Sequence, residues 1–120
     1  MNQVEKNNAL FELLKTDISI VSSQIIGLNI HLQNFTLTID IDFIMSKVIG
    51  GHLKLTFTDI KEYSFYHNSD YTFYNVEDYK LLKKGDLFYI SFDPDNENAS
   101  SISKDDNDLI LCGDIAGCRY

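Results

Sequence analysis

The clearest alternation of apolar and polar positions in the chain lies in residues 24–43. Phe35, Leu37, Ile39, Ile41 and Phe43 alternate with Thr36, Thr38, Asp40 and Asp42, and before them Ile26, Leu28, Ile30 and Leu32 alternate with Gly27, Asn29 and His31. A period of two marks strands with one buried and one solvated face. The two runs therefore predict a β-hairpin. With Gln33-Asn34 as a two-residue turn, Leu32 falls opposite Phe35, Ile30 opposite Leu37, Leu28 opposite Ile39 and Ile26 opposite Ile41, so both apolar rows share a face. A slip of one residue would separate them, which specifies the register. The β-branched run Ile18, Ile20 and Val21 leads into the hairpin, and Gly27 is the place for so long a strand to bulge.

Elsewhere the pattern predicts shorter elements. Residues 4–15 read as an amphipathic helix, with Val4, Leu10, Phe11 and Leu14 on one side. The Gly50-Gly51 pair marks a turn, after which Leu53, Leu55 and Phe57 form one row of a strand. A tight connection at Asp59 leads into residues 61–67, and Asn68-Ser69-Asp70 is a loop. Residues 75–84 carry an N-cap (Asn75), an acidic first turn (Glu77, Asp78), a basic last turn (Lys80, Lys83, Lys84) and a following Gly85, which predicts a two-turn helix, with a strand as the alternative. In residues 87–93 both alternating rows are partly apolar, so this strand is expected to be covered on both faces. Residues 109–112 form a last strand pairing with 87–93. The fold class expected is mainly β, with α+β as the variant: a single antiparallel sheet of about six or seven strands, curled into a sandwich or open barrel, with a short N-terminal helix and one more near 75–84.

Length and composition then narrow the function classes. A chain of 120 residues is one domain by size, able to bury about two thirds of its unfolded surface. The net charge of −8 and a single Arg, Arg119, argue against nucleic acid and anionic membrane, which are held through clustered Lys and Arg. A basic protein partner would instead be steered towards this surface. Glu5, Lys6, Glu12 and Lys15 interrupt the first residues, so no secretory leader is legible, and no apolar run approaches about 18 residues. The chain is expected in the cytoplasm. Cys112 and Cys118, six residues apart on an extended strand, are expected as free thiols.

Residues that could carry chemistry are sparse. Asp40 and Asp42 emerge on one face of a strand, without a second acidic strand to build a hydrolytic cleft. His31, His52 and His67 fall on separate segments, lacking the convergent spacing of metal ligands. No Cys-His pair, nucleophile elbow or phosphate cradle can be assembled, so no catalytic residue and no cofactor is assigned, and a non-enzymatic chain is expected. Residues 93–108 form a polar excursion holding Asp93, Asp95, Glu97, Asp105, Asp106 and Asp108 against Lys104 alone, five of the eight net negative charges. An EF-hand starting at Asp93 would need Gly and Glu where Asn98 and Lys104 stand; an irregular calcium site from Asp93, Asp95, Asp105 and Asp106 is the remaining metal reading. Close by in sequence is the aromatic run Tyr63, Phe65, Tyr66, Tyr71, Phe73, Tyr74 and Tyr79. Exposed Tyr anchors beside an acidic rim suit a protein interface, and exposed Tyr also stacks on sugars. The expected partner-binding set is Tyr66, Tyr71, Tyr74, Asp95, Glu97, Asp105 and Asp106.

The alternating hairpin, Leu53-x-Leu55-x-Phe57-x-x-Ile60, and Phe88-Tyr89-Ile90-Ser91-Phe92-Asp93-Pro94 with its Asp-rich return to a terminal strand, resemble small bacterial immunity proteins of toxin–immunity systems. The resemblance runs from about Gly27 to Leu111 and brings no shared catalytic residues. It implies a cytoplasmic inhibitor that occludes a toxin domain, often a basic nuclease. A sugar- or calcium-binding module and an interaction subunit of a cytoplasmic assembly are the alternatives. Oligomeric state is not legible in the sequence.

Overall fold

The computed structural model describes residues 4–70 and 74–120. The predicted hairpin forms one edge of its sheet. Strand β2 (Gln24–Gln33) pairs antiparallel with β3 (Thr36–Ile44), and the register shifts between Ile25 and Gly27, where the glycine was expected to allow it. The turn lies one residue later than expected. Asn34 and Phe35 occupy it at φ 52° and 65°, the left-handed pair of a type I′ turn, so Leu32 stands opposite Leu37, Ile30 opposite Ile39 and Leu28 opposite Ile41. Moving the turn by one changes the pairing by two, which leaves both apolar rows on one face. Past the bulge Ile26 is thrown outward and Ile25 takes the inward place opposite Phe43.

Two glycines at φ 77° and 73°, Gly50 and Gly51, return the chain into β4 (His52–Ser64). The expected break at Asp59 is instead a bulge in one long strand: Asp59 sits at φ 53° and the register shifts between Ile60 and Glu62. Strands β5 (Lys80–Lys84), β6 (Leu87–Asp93) and β7 (Asn107–Arg119) complete the sheet. Its order is β2-β3-β4-β7-β6-β5, antiparallel and unclosed. The last strand is far longer than residues 109–112. Its first half pairs with β6 as expected, and residues 116–118 pair with a strand not foreseen, β1 (Val4–Lys6), which precedes helix α1 (Asn7–Thr16).

The helix predicted at 75–84 does not form. Asn75 and Val76 lie extended beside the start of β2, held by Ser22 N–H to Val76 C=O and Val76 N–H to Ser23 C=O, and residues 80–84 pair with 87–91 across a turn with Gly85 at φ 61°. The left-handed glycine was legible; it closes a hairpin here, not a helix. Propensity over two turns yields to the hydrogen bonds and burial that sheet pairing provides.

The inner face of the sheet carries Ile39, Ile41 and Phe43 of β3, Leu53, Leu55 and Phe57 of β4, Ile110, Cys112 and Ile115 of β7 and Phe88, Ile90 and Phe92 of β6. Leu10, Phe11 and Leu14 of α1 close over it, with Ile20 and Val76. The helix approaches closely because β7 offers Gly117: a Cβ there would stand 2.8 Å from Leu10 Cδ1 and 3.2 Å from Leu55 Cδ2. Cys112 and Cys118 are both free thiols. No helix among the described residues is long and apolar enough to cross a membrane.

Phe35 is fully exposed, so its ring contributes no packing, while its φ of 65° is costly for a bulky side chain. Phe35→Gly, giving Asn-Gly in the type I′ turn, should stabilise the fold by about 1 kcal/mol in urea unfolding.

Candidate functional site: the acidic loop and its buried anchor

Both faces of β6 are buried, as its two apolar rows required. The inner row packs in the core. The outer row, Tyr89 and Ser91, shares a face with Lys80 of β5 across the strand pair, and what covers it is the acidic excursion between β6 and β7. Asp106 is the point of attachment. Its carboxylate accepts from Lys80 Nζ (2.9 Å), the Tyr89 hydroxyl (2.7 Å), and the backbone N–H groups of Ser103 (3.0 Å) and Asp95 (2.9 Å). The Lys80 side chain is 1% exposed and that of Asp106 0%. Lys80 also donates to the carbonyl of Ser101 (3.0 Å). One buried ion pair thus pins both limbs of the loop, at 95 and at 101–103, onto the sheet.

Burial by itself would push the Asp106 carboxyl up; the hydrogen bonds from Lys80, the two amides and Tyr89 outweigh it and hold the group below the ordinary carboxylate value. Tyr89 moves the other way, raised by burial first and then by the hydrogen bond and charge of Asp106. Asp106 therefore stays ionised and Tyr89 protonated across the neutral range, the state in which every bond of the cluster is made.

The expected partner-binding residues divide on this geometry. Asp95, Glu97 and Asp105 are exposed along the loop. Asp106 is not a surface group: with its oxygens taken by four donors and the residue 5% exposed, its role as a partner contact is corrected to that of an internal anchor. Asp108 is buried as well and accepts the N–H of Tyr66 (2.9 Å), which fixes the end of β4 against the base of the loop. Tyr66 and Tyr74 are both exposed; the Tyr66 hydroxyl accepts from Asn68, and the Tyr74 hydroxyl is 2.9 Å from His67 Nδ1 with the two rings tilted at 47° and their centroids 5.6 Å apart. Tyr71 lies outside the described residues. An open groove of about 380 Å³ runs beside the loop, lined by Lys15, Tyr79, Leu82, Glu97 and Asn98.

Of the four acids of the calcium reading, one is taken up within the fold. Asp106 is turned inward to Lys80, and among the described residues no three His, Cys, Asp or Glu side chains gather into a metal site.

A second polar cluster lies on the outer face of β2–β4, where the residues were expected not to converge. His31 Nε2 stands 2.8 Å from Asp40 Oδ2, and the Thr56 hydroxyl donates to Asp40 Oδ1 at 2.7 Å. Burial raises the Asp40 carboxyl, but these bonds and the charge of Lys54 leave it below the ordinary value. An ionised Asp40 can only accept, so Nε2 of His31 carries the hydrogen. Thr56 donates its hydroxyl hydrogen bond to the carboxylate, so Asp40 is held from both adjoining strands. The Cys112 thiol is pushed up to about 12, mainly by burial, which keeps it unreactive at neutral pH. Comparison of the chain with protein-family models, curated proteins and solved structures finds no match.

The missing part of the sequence reading was the pair Lys80–Asp106. Its signal was present in the two-sided apolar pattern of residues 87–93, which demands a cover, with the 93–108 excursion next in the chain.

Asp106→Ala leaves Lys80 buried without a counter-charge and should cost about 3 kcal/mol or more in urea unfolding at neutral pH. The pH dependence has a fixed sign. Because Asp106 titrates lower in the folded than in the unfolded chain, its stabilisation is complete above the ordinary carboxylate value of 3.8 and is lost as pH falls through its own depressed value. Asp106→Asn should flatten that acid limb of the stability curve, measured by chemical unfolding between about pH 2 and 6.

Proposed function

We propose that the chain is a non-enzymatic protein-binding module that works in the cytoplasm and takes a basic protein as its partner. The observation that carries this reading is the anchored acidic loop. Asp95, Glu97 and Asp105 point to solvent from a segment whose limbs are tied down by Asp106, so their charge is presented in a fixed arrangement and is not neutralised from within. A loop already ordered loses little conformational freedom on binding, and uncompensated carboxylates steer a cationic surface during encounter. Tyr66, whose backbone is bonded to Asp108 at the base of this loop, and Tyr74 supply exposed aromatic surface for the contact that follows.

The resemblance to immunity proteins gives that partner its most specific form, a basic toxin domain whose working surface is occluded. Shape and charge complementarity perform such an inhibition, and the chain itself needs no chemistry for it. The sign of the exposed loop favours this over a sugar-binding module, because a neutral sugar gains nothing from three outward carboxylates.

The test is co-purification from the native cell followed by association kinetics with the captured partner. Asp95→Asn, Glu97→Gln and Asp105→Asn combined should slow association on the order of tenfold at low salt and flatten its dependence on ionic strength. Tyr66→Ala or Tyr74→Ala should act on dissociation instead. An unchanged on-rate in the charge variant would overturn the assignment of the loop. For the immunity form of the proposal, the reading frame beside the gene should encode a large secreted protein with a toxic C-terminal domain, and the purified chain should block that domain's activity at equimolar ratio.

A further inference from the structure

The two edges of the sheet are built differently. At one edge β5 is five residues long, carries Lys83 and Lys84, and lies under the anchored loop, the short, charged and covered design that prevents pairing with another chain. At the other edge β2 is ten residues long and holds no Asp, Glu, Lys, Arg or Pro. Its inward row continues past the cover provided by α1: Leu28, Ile30 and Leu32 are 38%, 37% and 71% exposed, beside the half-buried Leu37.

The backbone of this edge can be assigned from the turn. In a two-residue hairpin Gln33 and Thr36 form a hydrogen-bonded pair, so bonded and unbonded pairs alternate back along β2 and the unbonded ones are Leu32–Leu37, Ile30–Ile39 and Leu28–Ile41. The N–H and C=O groups of Leu28, Ile30 and Leu32 therefore face away from β3. The same alternation across the bulge points the backbone groups of Ile25 away from β3, and its N–H is bonded to the carbonyl of Tyr74. Between that segment and the Asn34-Phe35 turn, residues 27–33 face no partner strand among the described residues. Among the described residues the open window is centred on Ile30.

We infer that β2 is a self-pairing edge, which joins a second copy of this chain antiparallel across a two-fold axis through Ile30. In that register Ile30 lies opposite Ile30 of the second copy and Leu28 opposite its Leu32, all residues whose backbone groups point away from β3, so three N–H and three C=O groups from each copy satisfy one another. Residues directly opposite share a sheet face, so the six Leu and Ile side chains join into one apolar row. The turn of each copy ends where the Tyr74–Val76 segment of the other begins. The strand is complementary to itself: it holds no Asp, Glu, Lys or Arg that would face its like across the axis, and the acidic loops, next to β5 and β6, are placed at the two far ends of the joined sheet. This inference does not rest on the protein-binding reading. It leaves the loop free for a partner in each copy.

The test combines solution mass with a cross-link at the axis. Sedimentation equilibrium should show a concentration-dependent dimer, and Leu32→Lys, at a position 71% exposed and harmless to the fold, should weaken it at least about tenfold. In a Cys118→Ser background, Ile30→Cys should form an intermolecular disulfide under mild oxidation, since paired Cα atoms there stand about 5.5 Å apart, within disulfide reach. Leu32→Cys should not, because the two copies of that residue lie roughly 14 Å apart. A chain that stays monomeric up to about millimolar concentration, a dimer indifferent to Leu32→Lys, or cross-linking as ready at 32 as at 30 would each overturn the inference.

Discussion

The buried pair of Lys80 and Asp106 is the constraint on which the far half of this molecule depends. An ammonium and a carboxylate removed from water stabilise a fold only when their geometry is good and their remaining hydrogen-bonding capacity is used. Here Asp106 takes four donors and Lys80 also reaches the carbonyl of Ser101. The pair reads the correct fold at three places at once: β5 must lie beside β6 to bring Lys80 next to Tyr89, and the loop must close from both limbs. Replacing it by an apolar pair could match its stability. It would not specify where a sixteen-residue polar excursion sits, which is the use the carboxylate serves.

The sequence made the strands legible wherever one row was apolar and the other polar. The hairpin face, the bulge at Gly27, the Gly50-Gly51 turn, the double burial of β6 and its pairing with the last strand could all be read from alternation, because side-chain direction in a strand repeats every two residues whatever the tertiary context. The turn at Asn34-Phe35 was missed by one residue because apolar alternation is blind to a two-residue shift in pairing; only the backbone requirement for two positive φ values distinguishes the options, and Phe35 is a poor advertisement for one. Residues 75–84 misled for a different reason. Asn75, the acidic pair, the lysines and Gly85 are compatible with a capped helix, yet the same residues serve as an edge of β2, a buried cation and a hairpin turn. Which use prevails is decided by Ser22, Ser23, Ser91 and Asp106, all distant in sequence.

The candidate site was legible in part for the same reason. Composition identified the acidic loop and could not sort its members. Asp105 and Asp106 are adjacent and chemically identical; one faces solvent and the other Lys80, twenty-six residues upstream. Such a distinction depends on a long-range charge partner and has no local signature. Likewise His31, Asp40 and Thr56 looked like separate outward residues until the register of β2, β3 and β4 placed them in hydrogen-bond contact. Their pairing shows how an acidic sheet face is made tolerable: the Asp40 charge is met by neighbours on both adjoining strands.

The sorting of the carboxylates has a consequence for the proposed recognition of a basic partner. Had all of the loop acids faced solvent on an untethered segment, mutual repulsion would have extended it, and a partner would have had to order it at the moment of binding. Asp106 and Asp108 are turned inward and the half-buried Asp93 accepts from Asn107, so three of the six acids serve position, which leaves Asp95, Glu97 and Asp105 on a frame set by folding. The charge exposed to solvent is smaller than composition suggests, but it is held where folding put it. For a surface that must discriminate by complementarity, a fixed array of three charges is worth more than a mobile array of six, because a mismatched partner cannot be accommodated by rearrangement of the loop.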